Sequence, residues 1–294
     1  MHSLVTIGTF DGVHRGHQRL VRRLLADARR LALRPTVVLF DRPPRFFFHP
    51  ETASPLITTA EERKELLQRM GVASVRVLPF NRYMSRVPHA RFFEEYILRR
   101  CRARGLLVGP DFAFGRGRKG DIAWLTQTCG LLGLRFDVMP IVRAGGLKVG
   151  STRIRELLLQ GEVREAARLL GRPHSVQGPV TRGDGLGRAL GCPTANLAVP
   201  ETKLAPPGVY KVRVSAVDGR GRLERPGACN VGVRPTVAGV GERRVEVHLL
   251  GFSGSLYGRR LKLEFLRRLR GERRFPSLDA LREQLRRDLR AAAR

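Results

Sequence analysis

The sequence predicts an α/β fold in two parts: a parallel sheet covered by helices over residues 1–172, then a small antiparallel β-barrel with a C-terminal helix over residues 173–294. Three observations predict it. Short apolar runs alternate with amphipathic helical segments through the first half. Short β-rich runs punctuated by Gly and Pro turns fill the second half. Between them "GRPHSV" (171–176) reads as a Pro/Gly connector. A chain of 294 residues is long enough for two domains of ordinary size.

The elements follow in order. Residues 4–8 read as a buried strand, and residues 18–33 as a helix with Leu20, Leu24, Ala28 and Leu31 at helical spacing. Residues 36–40 form a second apolar strand. "RFFFHP" (45–50) is unusual for a solvated loop, and fits either a flap over an aromatic ligand or packing against the domain. Residues 59–70 open with Thr-x-x-Glu, the capping-box pattern. Residues 75–79, 90–100, 106–109, 123–132 and 135–140 continue the strand–helix alternation, and helices at 152–160 and 163–170 close it. Such a parallel sheet binds ligands at the carboxyl ends of its strands. In the second half, strands are expected at 209–217, 227–233, 245–250 and 261–265. A last helix from about Ser277 places Leu278, Leu281, Leu285 and Leu289 on one face.

Composition narrows the class. A hydrophobic content of 42% with 28% charged residues is globular rather than disordered. No apolar stretch approaches the roughly 20 residues of a membrane helix, so no membrane partner is expected. The start of the chain reads as a strand and not as a secretory signal. Cys101, Cys129, Cys192 and Cys229 lie far apart without Cys-x-x-Cys spacing, as expected of reduced thiols in a cytoplasmic protein. The formal net charge of +29 raises nucleic acid as a partner. The arginines nevertheless recur on helical stretches such as 19–30 and 282–294, and at 6% aromatic residues a base-stacking platform is poorly supported. The favoured use of the charge is attraction of phosphorylated small molecules, with no nucleic-acid partner. A compositional bias of the source genome would also suffice, and the sequence leaves the oligomeric state open.

"TIGTFDGVHRGH" (6–17) carries the first chemical signal. A strand ends at Gly8, a Gly-containing turn follows, and His14-Arg15-Gly16-His17 leads into a helix. Gly16 permits close backbone approach, the helix start offers free N–H groups, and two imidazoles can donate to a phosphate gaining charge. Taken alone, the histidines could equally cap the helix. A second helix start, Ser151-Thr152-Arg153-Ile154-Arg155, adds hydroxyl donors and fixed cations. Two such elements facing each other across a parallel sheet can hold a nucleoside triphosphate. The chemistry is then nucleotidyl transfer by positioning and charge stabilisation.

In the second half, "TRGDGLGRALGCPTANL" (181–197) places Gly183, Gly185 and Gly187 in a loop whose amides can approach phosphates, although barrel turns also use spaced glycines. In Pro193-Thr194-Ala195-Asn196 a hydroxyl and an amide oxygen project to the same side of an extended segment. Both are hard oxygen ligands suited to Mg²⁺, and equally members of an ordinary turn. In Val245-Glu246-Val247-His248 the carboxylate and imidazole share a strand face. Glu246 is either solvent-facing, paired with an arginine, or a general base.

These motifs carry a resemblance. "GTFDGVHRGH", "GPDFAFGRGRKGD" (109–121) and "STRIRELL", in that order, resemble the adenylyltransferase half of bacterial bifunctional riboflavin kinase/FAD synthetases. The resemblance implies a Rossmann-like nucleotidyltransferase domain over residues 1–172. It further implies ATP around Gly8, Phe10, Asp11, His14, His17, Ser151, Thr152 and Arg155, with His14, His17 and Arg155 catalytic. FMN would lie nearer Phe40, Pro44 and Asp111. The sequence departs from the family after the second strand, where Phe-Asp-Pro-His-Pro is replaced by Phe40-Asp41-Arg42-Pro43-Pro44, and the family's Ser-Ser-Thr is Gly150-Ser151-Thr152. "GDGLGRALGCPTANL", "GVY" (208–210), "NVGVRPT" (230–236), "VEVHLL" and "LYG" (256–258) resemble the riboflavin kinase module over residues 173–294. That implies ATP at Gly183, Gly185, Gly187, Thr194 and Asn196, Mg²⁺ on Thr194 and Asn196, Glu246 as the base toward a ribityl hydroxyl, and "RGERRFPS" (270–277) near the flavin. The expectation is a two-reaction enzyme with ATP and Mg²⁺ as cosubstrate and cofactor, and with flavins as substrates and products. Alternatives are a kinase with a weakened adenylyltransferase half, a nucleotidyltransferase for another acceptor, and a nucleic-acid-binding protein. A class I aminoacyl-tRNA synthetase would share the histidine motif, but the Lys-Met-Ser-Lys-Ser segment is missing.

Overall fold

Residues alternating in direction along three central strands feed two separate apolar cores, which is how a sheet buried on both faces is built. The structure, a computed structural model, describes all residues but 51–53, 145–146, 184–186, 188–189 and 235–241. It divides into two units, Met1–Ser151 and Thr152–Arg294.

The first unit contains β1 (Ser3–Gly8), α1 (Arg15–Arg30), β2 (Arg34–Phe40), α2 (Arg45–Phe48), α3 (Ala60–Arg69), β3 (Ser74–Leu78), α4 (Arg82–Arg86) and α5 (His89–Phe92). A π-helical stretch, Phe93–Arg100, continues α5, where the sequence predicts a single helix. β4 (Ala103–Val108), α6 (Ile122–Leu131) and β5 (Arg135–Val138) follow, then a two-stranded ribbon of β6 (Arg143–Ala144) and β7 (Leu147–Lys148). The main sheet is parallel with strand order β3-β2-β1-β4-β5. Val5, Ile7, Val38 and Leu106 enter one core with Phe92 and Ile97; Leu4, Val37, Leu39 and Leu107 enter the other with Val21 and Leu24. α3 starts as the sequence predicts. Thr59 accepts from the Glu62 N–H, and Glu62 accepts from the Thr59 N–H. "RFFFHP" folds as α2, and Phe47 and Phe48 rest on Phe80 with ring centroids 5.9 and 6.0 Å away.

The second unit contains the body of α7 (Ser151–Leu159), α8 (Val163–Leu170), β8 (His174–Thr181), β9 (Ala195–Leu197), β10 (Gly208–Ala216), β11 (Glu224–Arg234), β12 (Glu242–Leu249), β13 (Arg260–Arg270) and α9 (Leu278–Ala293). The six strands close into a barrel in the order β10-β11-β12-β9-β8-β13. Tyr210, Val212, Val214, Cys229, Val247, Leu261, Leu263 and Phe265 fill its interior. Four strands and the last helix fall close to their predicted places, and Ser277 N-caps α9 by accepting from the Ala280 N–H. One boundary is corrected. The expected connector 171–176 ends early, because His174 already opens β8, whose alternating burial is masked in the sequence by Gly178 and Pro179. Gly178 is required there: a Cβ would lie 2.1 Å from the carbonyl oxygen of Ala198.

Gly178→Ala is therefore expected to destabilise the barrel by about 1–3 kcal/mol, the usual cost of overpacking. A lowered denaturation midpoint with unchanged urea m-value would show it, and an unchanged midpoint would refute the close approach.

Candidate active sites

In the first unit the strand order reverses between β1 and β4, and the crevice outside the carboxyl ends of those strands is the expected ligand position. A cavity of about 230 Å³ lies there, lined among others by His14, Gly16, His17, Gly109, Asp111 and Gly150. The turn leaving Gly8 is conformationally unusual. Phe10 and Val13 take φ of 50° and 40°, beside Gly12 at 84°, a backbone that non-glycine residues adopt at a cost of about 1–3 kcal/mol and that clusters at functional sites.

Surrounding contacts hold that turn. The buried Asp11 carboxylate accepts from the N–H groups of Ile57 (3.3 Å) and Thr58 (3.0 Å) and from the Thr58 hydroxyl (3.2 Å), while Gly12 N–H donates to Thr58 Oγ1 (2.7 Å). Ser151 Oγ donates to the Asp11 carbonyl at 2.9 Å, tying the second predicted phosphate element to the first. His14 caps α1, its Nδ1 accepting from the His17 N–H at 3.3 Å. Its ring stacks on His17 with centroids 3.7 Å apart, and His17 leans on Phe10 at 5.0 Å. The histidines thus cap the helix and line the cavity together. Gly8 and Gly16 leave room for these rings, since a Cβ at either would lie 3.0–3.1 Å from Phe10 or His14. His17 Nδ1 is buried with no hydrogen-bond partner among the described residues. Burial, then the neighbouring His14 and the Arg63 guanidinium, hold His17 well below the usual imidazole range.

Arg63 is a functional candidate that sequence reasoning missed. It is fully buried, and its guanidinium donates to the carbonyls of Thr9 (2.5 Å), Phe40 (2.8 Å), Asp41 and, through Nε, Thr59 (3.2 Å). No sequence spacing signals this, because every partner is a backbone oxygen. Of the predicted flavin residues, Phe40 touches it through its carbonyl, and Asp111 lines the cavity with His14 and His17. Phe40 ends β2, and Pro44 opens α2. Asp111 is exposed, with its carbonyl accepting from Arg118 at 3.3 Å. Thr152 and Arg155 belong to the second unit, Thr152 exposed and Arg155 buried on α7.

In the second unit the alternation of β12 sends Val245 and Val247 into the barrel and Glu246 and His248 to its outer face. Glu246 lies opposite Asn196 of β9 on one side and Asn230 of β11 on the other. Directly opposed residues place their Cβ atoms about 4.5–5.5 Å apart, so the three form one polar row. A cavity of about 380 Å³ covers the row, with Thr194, Glu272 and Phe275 in its wall and Leu281, Leu285 and Leu289 of α9 as an apolar face. Leu278 departs from the expected stripe and is exposed. α9 is held there by Asp288, which accepts from Arg270 Nε at 3.0 Å and Nη2 at 2.9 Å. Phe275 lies between the Arg270 and Arg273 guanidinium groups at 5.5 and 4.8 Å.

A second cavity, about 490 Å³, runs past Pro193, Thr194, Phe252, Gly254 and Tyr257, and Thr194 and His248 line both cavities. His248 Nδ1 lies 2.8 Å from the Pro193 carbonyl and pins the turn that presents Thr194. The predicted glycines pack on the predicted ligands. A Cβ at Gly183 would lie 2.2 Å from Asn196 Nδ2, and one at Gly187 3.0 Å from Thr194 Oγ1. Gly185, Pro235 and Thr236 lie outside the described residues. Asn230 and Glu272 were not singled out from the sequence. Their signal is positional: Asn230 faces Glu246, and a Cβ at Gly232 would lie 2.6 Å from Glu272 Oε1.

A parallel-sheet unit with a histidine-lined crevice, followed by a barrel with a carboxylate-bearing cleft, is the arrangement of a two-site nucleotide-dependent transferase. Residues 1–153 match the family model for FAD synthetase and residues 170–294 that for riboflavin kinase. The chain is 41% identical to the bifunctional riboflavin kinase/FMN adenylyltransferase of Pseudomonas fluorescens, over 98% of this chain and 91% of that protein. It is 36% identical to the protein of the same description from Escherichia coli (strain K12), over 97% and 90%. A crystal structure described as a macrolide-efflux protein from Streptococcus pneumoniae superposes with a TM-score of 0.84 and 32% identity, over 98% of this chain and 92% of that one. Its description stays with that protein; among the described residues here no helix is long and apolar enough to cross a membrane. The chain belongs to the bifunctional riboflavin kinase/FMN adenylyltransferase family.

Two histidines held below the usual imidazole range give a pH prediction. His174 in the second unit is held well below the usual imidazole range by burial, then Lys203, then Arg172, against its 2.8 Å bond to the Leu204 carbonyl. For His17 and His174 the unfolded chain binds the proton more readily, so stability is full above the ordinary value of about 6.5 and falls as pH drops through it. Thermal midpoints are expected to fall between pH 7.5 and 5.5. His17→Gln and His174→Gln should each flatten part of that slope, and equal slopes in both variants and the parent would contradict the assignment.

Proposed function

We propose that the second unit phosphorylates riboflavin with ATP to give FMN and that the first joins FMN to the AMP part of a second ATP, giving FAD and pyrophosphate. What carries the reading is the meeting of Thr194 and Asn196 from one motif with Glu246 from another at one cavity, which adjoins a second through Thr194. In this reading riboflavin occupies the cavity under α9 and ATP the neighbouring one, with the assignment of Gly183, Gly185 and Gly187 to ATP resting on the sequence motif. Glu246 takes the proton of a ribityl hydroxyl as its oxygen attacks the γ-phosphorus, and ADP leaves. Thr194 Oγ1 and Asn196 Oδ1 are hard oxygen donors cradled by Gly183 and Gly187, a set that fits Mg²⁺ retaining waters and nucleotide phosphates. When bound, the ion neutralises charge on those phosphates.

In the first unit, Gly8, Phe10, His14 and His17 with Ser151 are proposed to hold the triphosphate. Asp11 acts by fixing the turn through Ile57 and Thr58. An FMN phosphate oxygen attacks the α-phosphorus, the bond to the bridging oxygen breaks and pyrophosphate leaves. A neutral imidazole still donates through one nitrogen, so His14 and His17 can stabilise the charge gained by the transferring phosphate. Phe40, Pro44 and Asp111 are assigned to the flavin side. The roles of Thr152 and Arg155 rest on the sequence motif. We place the functional boundary at residues 172/173, which keeps α7 and α8 with the adenylyl-transfer motifs. The four cysteines are buried free thiols, which supports a reducing compartment such as the cytoplasm. Dispersed ion pairs such as Arg69–Glu65 and Arg99–Glu94 support reading the arginines as solvated charge and not as a nucleic-acid surface.

Single substitutions are expected to separate the reactions. His17→Ala should lower FAD formation by about 10²–10³-fold, the usual cost of one such donor, while FMN still accumulates from riboflavin. Glu246→Gln should stop riboflavin phosphorylation yet convert supplied FMN to FAD. Chromatography of flavin products from each purified variant with ATP and Mg²⁺ decides the matter. Equal loss of both reactions in a folded variant would sink the two-site assignment.

A further inference from the structure

The buried guanidinium of Arg63 joins two turns that the proposed adenylyl transfer assigns to different substrates. Its Nη1 reaches the carbonyl of Thr9, where β1 gives way to the ATP-carrying turn, and the carbonyl of Phe40, where β2 gives way to the flavin side; its Nη2 reaches the carbonyl of Asp41. Its Nε returns to Thr59, the N-cap of α3. The same helix start supplies Thr58, which grips Asp11 and Gly12 from the other side. Among the described residues no carboxylate bonds the guanidinium directly. Asp11, Asp41, Glu61 and Glu62 offset its charge from further away, while burial pulls its affinity for the proton down. A cation this desolvated is retained at a cost. Apolar packing of equal volume would serve stability alone, whereas only a planar fork of fixed donors sets the spacing of three carbonyls on two strands.

We propose that Arg63 is a positioning residue for adenylyl transfer, fixing the ATP-carrying turn (residues 9–17) relative to the flavin-carrying turn (residues 40–44). The inference rests on the site reading given above. Each substrate has its own turn, so displacing one turn leaves each separate binding step nearly intact and misaligns the attacking phosphate with the α-phosphorus. FAD, which spans both turns, feels the displacement.

Arg63→Lys keeps the charge and loses the fork; Arg63→Gln loses both. Turnover is measured per FMN-binding site, counted by quenching of flavin fluorescence, so partial unfolding does not enter the rate. In Arg63→Lys, kcat for FAD formation should fall about 10²-fold, the cost of a roughly 1 Å misplacement. KM for ATP and for FMN should each move less than about threefold, the signature of a loss confined to the transition state. Affinity for FAD should fall with kcat, and riboflavin phosphorylation should continue at the parent rate. Arg63→Gln should lose at least as much turnover. A parental kcat per FMN site in both variants, even with a lowered melting temperature, would overturn the inference and leave Arg63 a purely structural residue. Loss of FMN binding itself would also overturn it, since the turns would not be independent. Failure of the underlying reading looks different: His17→Ala would then leave FAD formation intact.

Discussion

A single buried cation organises the first unit. The carboxyl ends of parallel strands expose carbonyls that have no ladder partner beyond the last pair, and a buried acceptor left unpaired costs about 1–3 kcal/mol. Arg63 satisfies three of them on two strands at once and is itself satisfied by them. Around that fixed point the rest is constrained. α3 must begin where Thr59 and Glu62 close their capping box, Asp11 must turn toward Ile57 and Thr58, and the chain between Gly8 and His14 must pass through the positive φ of Phe10 and Val13. The strained turn therefore persists because its surroundings over-determine it. Its product is a stacked pair of imidazoles at the mouth of a helix, with His17 kept neutral by burial and by neighbouring positive charge.

The barrel reaches a comparable end by another route. The groups proposed to react there stand on regular strands, where the period of two sends Glu246 outward between inward valines and register sets Asn196 and Asn230 on either side. Rigidity comes from the ladder, and the covering apolar wall comes from α9. That helix is secured by the two-pronged Arg270–Asp288 pair, Asp288 being buried and also accepting from Gln284 at 2.7 Å. Such charge-assisted forks are geometrically specific, so β13 and α9 are locked at the point where Phe275 and Glu272 enter the cavity wall.

The sequence made legible the residues whose chemistry is in their side chains. His14, His17, Thr194, Asn196 and Glu246 stand out by type and spacing, and the strand and helix periods that carry them are those of the fold. It hid what is carried by backbone and by register. Arg63 resembles any arginine on an amphipathic helix, because three of its four partners are carbonyls of residues 22 or more positions away. β8 is obscured in the sequence because Gly178 and Pro179 interrupt its alternation, whereas the glycine serves the approach of the Ala198 carbonyl. Asn230 acquires meaning only once β11 is registered against Glu246. "RFFFHP" fits a flap or packing on the sequence, and in the structure the rings of Phe47 and Phe48 meet Phe80 while no residue of α2 is buried.

The departure at Arg42-Pro43 falls directly after a residue these constraints hold. Asp41 is held firmly: its carbonyl accepts from Arg63, and its Oδ1 accepts from the N–H groups of Phe80 (2.8 Å) and Arg42 (2.7 Å). The Arg42 side chain is exposed and reaches Asp41 Oδ2 only at 3.5 Å, and exposed pairs of that kind contribute about 0–1 kcal/mol. Pro43 is buried and Pro44 leads directly into α2, so the backbone that follows is set by prolines as it would be in the family's pattern. The substitution thus leaves the frame of the proposed flavin-side turn intact and changes what it displays: Arg42, a weakly tethered cation, stands where the family has proline, and the buried Pro43 stands where it has histidine. An anionic phosphate can take such a cation from Asp41 at little cost, which makes the arginine compatible with an adenylyl acceptor that carries a phosphate.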